Sequence, residues 1–343
     1  MKHFPWMVFI LLSIVSCQKR PDSVQIMTVN GPVEASEMGI TLVHEHVIVD
    51  WIGADSTGYH RWDRDEVVGR ALPFLLEIRE SGVNTFLECT PAYLGRDPFV
   101  LKELSEKSGI AILTNTGYYG ALSNRFIPAH AFEESPEALA QRWVDEFENG
   151  IDGSGVRPGF IKIAVNPADS LSALHQKIIH AASIAHKKTG LAIVSHTGPD
   201  GPAFAQIGIL KTQGVSPTAF IWTHAQGGTL EGCIKAAQEG AWISLDNVND
   251  APPAEPGMPG AVEWYANRIS DLKDAGLLQK ILISHDSGWY NVGQPDGGNY
   301  NGYTVIFNRL LPELKKRGFT DDDIEQILVR NPREAFTIRI RYL

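Results

Sequence analysis

The chain has 343 residues, a formal charge of −10, 43% hydrophobic residues and 20% charged residues. That is ample material for a core, enough for two domains or one large α/β barrel. The acidic balance leaves no basic excess to offset phosphates, which excludes nucleic acid as a partner.

The first twenty residues, MKHFPWMVFILLSIVSCQKR, have a basic start and an apolar run from Val8 to Val15, with Ser16 before Cys17. The run is too short to span a bilayer and fits a secretory signal. Ile14-Val15-Ser16-Cys17 resembles a bacterial lipobox, so residues 1–16 are expected to be a signal peptide and Cys17 a lipidated first residue. Residues 17–27 are then a tether and 28–343 one domain. Gln18 is not the aspartate that often retains lipoproteins at the inner membrane. The expected location is the cell envelope, at the outer membrane, facing the periplasm or the surface. The alternative is an ordinary signal peptide that happens to end near a cysteine. Cys89 and Cys233 are no disulfide framework; they read as small buried hydrophobes, with one bridge between them left open.

From there β-rich runs alternate with amphipathic helical patterns. The strands read as 40–49, 83–88, 110–115, 159–165, 191–196, 219–224, 241–246 and 281–286. DEVVGRALPFLLEIRESG carries apolar residues at helical spacing and stops at Gly82. SPEALAQRWVDEF offers Ser135 as N-cap and Pro136 at the first helical position. ALHQKIIHAASIAHKKTG ends in lysines and glycine. Eight such units predict a (β/α)₈ TIM barrel, with a doubly wound sheet as the alternative. Long loops follow the first, third, seventh and eighth strands, and in this architecture such loops build the active-site face.

Residues suited to chemistry stand at the strand ends: His44 and His46, then Lys162, His196, His224 and Asp286. Lys162 to His196 is 34 residues, His196 to His224 is 28 and His224 to Asp286 is 62. Those spacings are one, one and two βα units, which puts all six at one end of one barrel. Two imidazoles on one strand face are poor core but good metal ligands. Alternation should set Leu42 behind His44, Val194 behind His196 and Trp222 behind His224. Lys162, flanked by Ile161 and Ile163, cannot be buried as a lone ammonium. Either an acid partner balances it, or carbon dioxide converts it to a carbamate that bridges two metals. His60, His130, His175, His180 and His186 read as solvated or local hydrogen-bonding residues. His285 should point outward, and Glu45 reads as a structural partner facing the helices.

The motifs GITLVHEH, FIKIAV, VSHTG, WTHAQGG and ISHDSG, together with LGRD and the C-terminal RGFTDDDIEQILVRNPREAF, resemble the phosphotriesterase family of the amidohydrolase superfamily. The resemblance covers about Thr28 to Phe336. It implies a binuclear centre in which His44, His46 and Asp286 hold one divalent metal and His196 and His224 the other. Carboxylated Lys162 and a hydroxide bridge the two. Zinc is the expected metal, with manganese, cobalt, iron or nickel as alternatives. The implied reaction is attack of that hydroxide on a carbonyl or phosphoryl centre, with Asp286 taking and passing on the proton.

The expected substrate is a lactone or carboxylic ester, apolar or sugar-like and of limited charge, with a phosphotriester or other phosphoester as the alternative. Tyr118, Tyr119, Arg96, Trp289 and Tyr290 are candidate substrate contacts; Trp51, Tyr300 and Tyr303 are further loop aromatics. A homodimer is one compatible assembly, and any membrane contact is expected only through the lipid. In a different class, the protein would be a surface lipoprotein that binds a ligand without catalysis; all six ligands are present, which favours the enzyme.

Overall fold

The computed structural model describes Met1 and residues 24–343, apart from positions 169, 256, 257 and 259. The expected signal peptide and Cys17 lie outside the described residues. Among those described, no helix is long and apolar enough to cross a membrane.

The fold is the TIM barrel. β1 (Ile40–Glu45) pairs with β2 (Val83–Glu88), which pairs with β3 (Ala111–Leu113). Beyond Thr114 the third strand resumes as Asn115–Thr116 and pairs with β4 (Phe160–Ala164). β5 (Ile193–His196), β6 (Phe220–Thr223), β7 (Trp242–Leu245) and β8 (Ile281–Ile283) follow in order, every pairing parallel. Closure falls between β8 and β1. There the Asp286 N–H donates to the His44 carbonyl at 3.0 Å and the His46 N–H to the Ser287 carbonyl at 2.9 Å.

One buried carboxylate locks that seam. Glu45 accepts from the Ser284 hydroxyl at 2.7 Å, from the His285 and Ser287 amides at 2.9 and 3.0 Å, and from His285 Nδ1 at 2.7 Å. His285 Nε2 in turn accepts from the Ile306 amide. His285 thus points away from the barrel axis and fastens two segments together.

The helices carry the expected signals. α1 (Arg64–Glu80) is capped by Asp63, whose side chain accepts from the Asp65 and Glu66 amides. α2 (Pro98–Ser108) begins at a proline behind Asp97, and α3 (Pro136–Asn149) begins behind Ser135, which accepts from the Ala138 amide. α4 (Ala173–Thr189) stops at Gly190, at φ +76°, where a Cβ would meet the Arg339 backbone at 2.9 Å. α5 (Asp200–Thr212), α6 (Leu230–Gln238) and α7 (Ala261–Asp274) continue the ring, and the helical segment Ile306–Lys316 after β8 completes it.

Two apolar layers result. Outward strand residues such as Ile161, Ile163, Ile243 and Ile281 pack against the helices. Inside, Val43, Leu87, Leu113, Phe160, Val194, Ile221, Trp242 and Leu282 fill the lower barrel, plugged below by Ile26, Met38 and Phe336. Burying each such side chain contributes about 1.5–3 kcal/mol, and the filling leaves only the upper end for polar groups.

The plug corrects one boundary. Gln25–Thr28 forms an antiparallel hairpin with Gly31–Glu34, and the Ile338 amide donates to the Gln25 carbonyl at 2.9 Å. Residues 25–27, expected in a tether, therefore belong to the folded unit. Cys89 and Cys233 are both buried free thiols, so the bridge left open by the sequence is not formed.

Candidate metal centre

All six side chains expected as ligands line one cavity of about 180 Å³ at the C-terminal end of the strands. His46 Nε2 lies 2.9 Å from Asp286 Oδ1, and His44 Nε2 lies 3.6 Å from the same oxygen. His224 Nε2 is 4.0 Å from Asp286 Oδ2, and the rings of His196 and His224 stand 4.3 Å apart. Lys162 Nζ is 3.1 Å from His44 Nε2.

Alternation accounts for only part of this convergence. On β4 and β5 the rule holds, with Phe160 inside below Lys162 and Val194 inside below His196. On β1 it fails: Leu42 packs outward and Val43 inward, so a regular strand would turn His44 away. A register irregularity between Leu42 and Glu45 turns it back. On β6 the outward residue is Trp222, and His224 enters through a left-handed φ of +58°. Asp286 and Trp289 adopt similar values, +55° and +74°. Each such non-glycine conformation costs on the order of 1 kcal/mol and persists where surroundings enforce it. Leu42 and Trp222 therefore do not lie behind their histidines, contrary to the sequence reading.

Asp246, at the end of the seventh strand, organises the centre. It accepts from His44 Nδ1 at 2.9 Å and His224 Nδ1 at 2.8 Å, and from the His224 amide at 2.9 Å. Thr90 Oγ1 stands 2.8 Å from His46 Nδ1. With each Nδ1 engaged by oxygen, the Nε2 lone pairs of these three rings are turned into the cavity. His196 differs: among the described residues its ring meets the Tyr119 hydroxyl, 3.3 Å from Nδ1. Sequence reasoning missed Asp246, although the seventh strand was conspicuous as the later one that contributed no residue. Thr90 carried no signal.

The electrostatics favour the unprotonated forms of His44, His46, His196 and Asp286, and the protonated form of His224. Burial lowers His44, with Lys162 adding to the effect, and holds His46 near about 4. Burial and then the neighbouring His224 drive His196 well below its ordinary value. For His224 burial opposes the charge, but Asp246 outweighs it and the value rises. Burial works against ionised Asp286 too, yet His44 and His46 hold it well below the usual carboxylate range. Four imidazoles and a carboxylate around one small cavity suit divalent transition metals. Two ligating groups stand out, His44 with His46 and Asp286, and His44 with His224 and Asp246. In the second, both histidines spend Nδ1 on Asp246, so Asp246 orients ligands and is not one.

Lys162 is 1% exposed, and among the described residues its amine has the His44 ring as its hydrogen-bond partner and no acid partner. The first solution offered by the sequence, a neighbouring acid, is not what the structure contains.

The candidate substrate contacts divide. Tyr119 and Trp289 line the cavity, and Trp289 stacks on His46 with ring centroids 3.8 Å apart. Trp51 joins the same wall, stacked 5.7 Å from Trp289. Tyr118 and Arg96 line a different cavity; Arg96 is held by Glu146 at 2.7 Å and donates to the Asn115 carbonyl. Tyr290 is buried and donates to Glu66, while Tyr300 and Tyr303 pack together, Tyr303 donating to the His46 carbonyl. Tyr118, Arg96 and Tyr290 thus lie outside the lining of the metal cavity, in ion pairs or packing contacts. His175, His186 and His130 each make local hydrogen bonds, as expected.

Comparison with known proteins agrees with this geometry. The sequence profile described as "Phosphotriesterase family" matches residues 24–336. The chain is 28% identical to the "Phosphotriesterase homology protein" of Escherichia coli K12, over 87% of this chain and 98% of that protein. It is 25% identical to the "N-acetyltaurine hydrolase" of Mus musculus, over 92% and 98%. The solved organophosphorus hydrolase of Deinococcus radiodurans superposes with a TM-score of 0.80 at 26% identity, covering 92% and 98%.

Proposed function

The chain belongs to the phosphotriesterase family, a family of metal-dependent hydrolases, and on that premise we propose that it cleaves a small neutral lactone or carboxylic ester. The observation that carries this reading is the cavity itself. It holds the six ligand side chains under a largely apolar wall of Trp51, Pro91, Leu94, Tyr119 and Trp289, with no arginine among its lining residues.

We propose that His44, His46 and Asp286 hold one divalent cation, that His196 and His224 hold a second, and that Lys162 lies between them as a carbamate. Carbamate formation joins the lysine nitrogen to carbon dioxide and releases a proton, which replaces a buried amine with an anion. When bound, the cations supply an acidified water and a Lewis acid for the scissile bond. The chain's own residues do the rest. Asp246 holds two imidazoles in one tautomer, and Thr90 orients a third. Asp286, whose side chain is 22% exposed towards the cavity, takes the proton of the attacking water and passes it to the leaving group. Trp289 and Trp51 present flat apolar faces and limit water.

A phosphotriester is the second reading, favoured by the likeness to an organophosphorus hydrolase. An anionic amide, as the mouse relative's name implies, fits less well, since no arginine lines this cavity to meet a sulfonate or carboxylate. The test is a hydrolysis screen over neutral lactones, aryl esters, phosphotriesters and N-acyl amides, with metal content measured in parallel. Lactone or ester turnover with close to two metal ions per chain is the expected result. Lys162→Ala should lower kcat/KM by about a hundredfold or more, in the range of losing a ligand-positioning group. Unchanged activity in that variant overturns the bridging role. Absence of turnover and metal in metal-supplemented protein would favour a ligand-binding lipoprotein.

Export and lipidation at Cys17 belong to the same proposal and rest on the N-terminal motif. Cys17→Ala should move the protein from the membrane fraction to the soluble one; persistence at the membrane removes the anchor.

A further inference from the structure

A second cavity, of about 210 Å³, opens beside the metal centre and is separate from it. The wall between them is the segment from Thr90 to Arg96. Pro91 and Leu94 face the metal cavity, while Ala92, Tyr93, Gly95 and Arg96 face the other. Tyr119 and Tyr118 divide in the same way.

Four aromatic residues line this second cavity. Tyr59 and Trp62 form one edge-to-face pair, with centroids 5.9 Å apart, and Tyr93 and Tyr118 form another at 5.6 Å. Tyr93 holds a left-handed φ of +67°, a conformation that a bulky side chain adopts only when its surroundings enforce it. The charges are also uneven. Arg96 is neutralised by Glu146 through contacts of 2.7 and 2.9 Å. Asp152 is exposed, makes no ion pair among the described residues and accepts a hydrogen bond from the Tyr59 hydroxyl at 2.6 Å. Arg64 lies over the Tyr59 ring but is itself paired with Asp97. The cavity lining thus carries one net negative charge among aromatic faces. Arg96 is 6% exposed, and its Nε–H is buried without an acceptor among the described residues, where an unmade hydrogen bond is costly.

We propose that this cavity binds a small organic ammonium. Aromatic faces attract a desolvated organic cation, and Asp152 supplies the opposite charge. An anion is disfavoured by the uncompensated carboxylate, and a neutral polyol would leave the aromatic faces and Asp152 unused.

Calorimetric titration of the metal-loaded protein with choline tests this, with tetramethylammonium, glycerol and acetate as comparisons. Choline and tetramethylammonium should each bind saturably at one site, with no binding by glycerol or acetate. Trp62→Ala and Asp152→Asn should each weaken choline binding by about tenfold, the scale of a desolvated cation–π contact. Thermal melts establish that both variants remain folded. Lys162→Ala should bind choline as the unaltered chain does, which separates this site from the metal cavity. Equal binding by glycerol or acetate, or choline binding unmoved by both cavity substitutions, overturns the proposal.

Discussion

Asp246 shows how much one side chain can organise. Its carboxylate receives the Nδ1 groups of two histidines, the His224 amide and the Ser244 hydroxyl, all without exposure to solvent. Asparagine at this position keeps the volume but cannot accept from both rings while also turning an N–H towards them. Asp246→Asn should therefore lower metal affinity or kcat/KM by about 10–100-fold, as loss of such a supporting contact typically does. Metal titration and steady-state kinetics on the folded variant check this. At this scale the sequence spoke through spacing. Lys162 and His196 follow strand alternation, so their position in the cavity was legible. His44 and His224 break it, and only the recurrence of ligand-type residues at strand ends marked them.

Among the elements, β2 carries a group that reports its own environment. Glu88 is fully buried, accepts from the Val47 and Thr90 amides, and is pushed by that burial up to about 8. The folded protein keeps a proton that the unfolded chain releases near the ordinary value of 4.5. Its contribution to stability is complete below about pH 4.5 and is lost as pH rises through about 8. Glu88→Gln removes that dependence, so the denaturation midpoint of the variant should fall less between pH 5 and 9; an identical slope would refute the assignment. The strands and helices themselves were largely readable. Runs such as GFIKIAV and ILISHD are short and bounded, and Ser135, Pro136 and Gly190 punctuate where expected. What escaped was the hairpin at Gln25–Thr28 and Gly31–Glu34, whose few residues carry no period long enough to separate them from a tether.

Across the whole molecule, the candidate centre joins two groups of neighbouring strands, β1 with the end of β8 and β4 with β5 and β6, which the closed barrel brings around one cavity. Ions bound there stabilise the folded state by mass action, about 4 kcal/mol at a thousand times Kd. Chelation should lower the melting temperature substantially while far-ultraviolet circular dichroism at low temperature stays the same, because the apolar filling below the centre is independent of it. A melting temperature indifferent to chelator would mean that metal is not held by these strands.

By itself the sequence determined the barrel and marked the six residues that line one cavity, because periodic burial and the recurrence of ligand-type residues at strand ends are local patterns. The tertiary structure decided which residues face the cavity. A bulge in β1, left-handed turns at His224 and Asp286, and the closure of β8 on β1 through Glu45 aim side chains that alternation would misplace. It also decided that Arg96, Tyr118 and Tyr290 are engaged elsewhere. Such orientations depend on contacts between segments up to some 240 residues apart, and no local pattern in the chain encodes them.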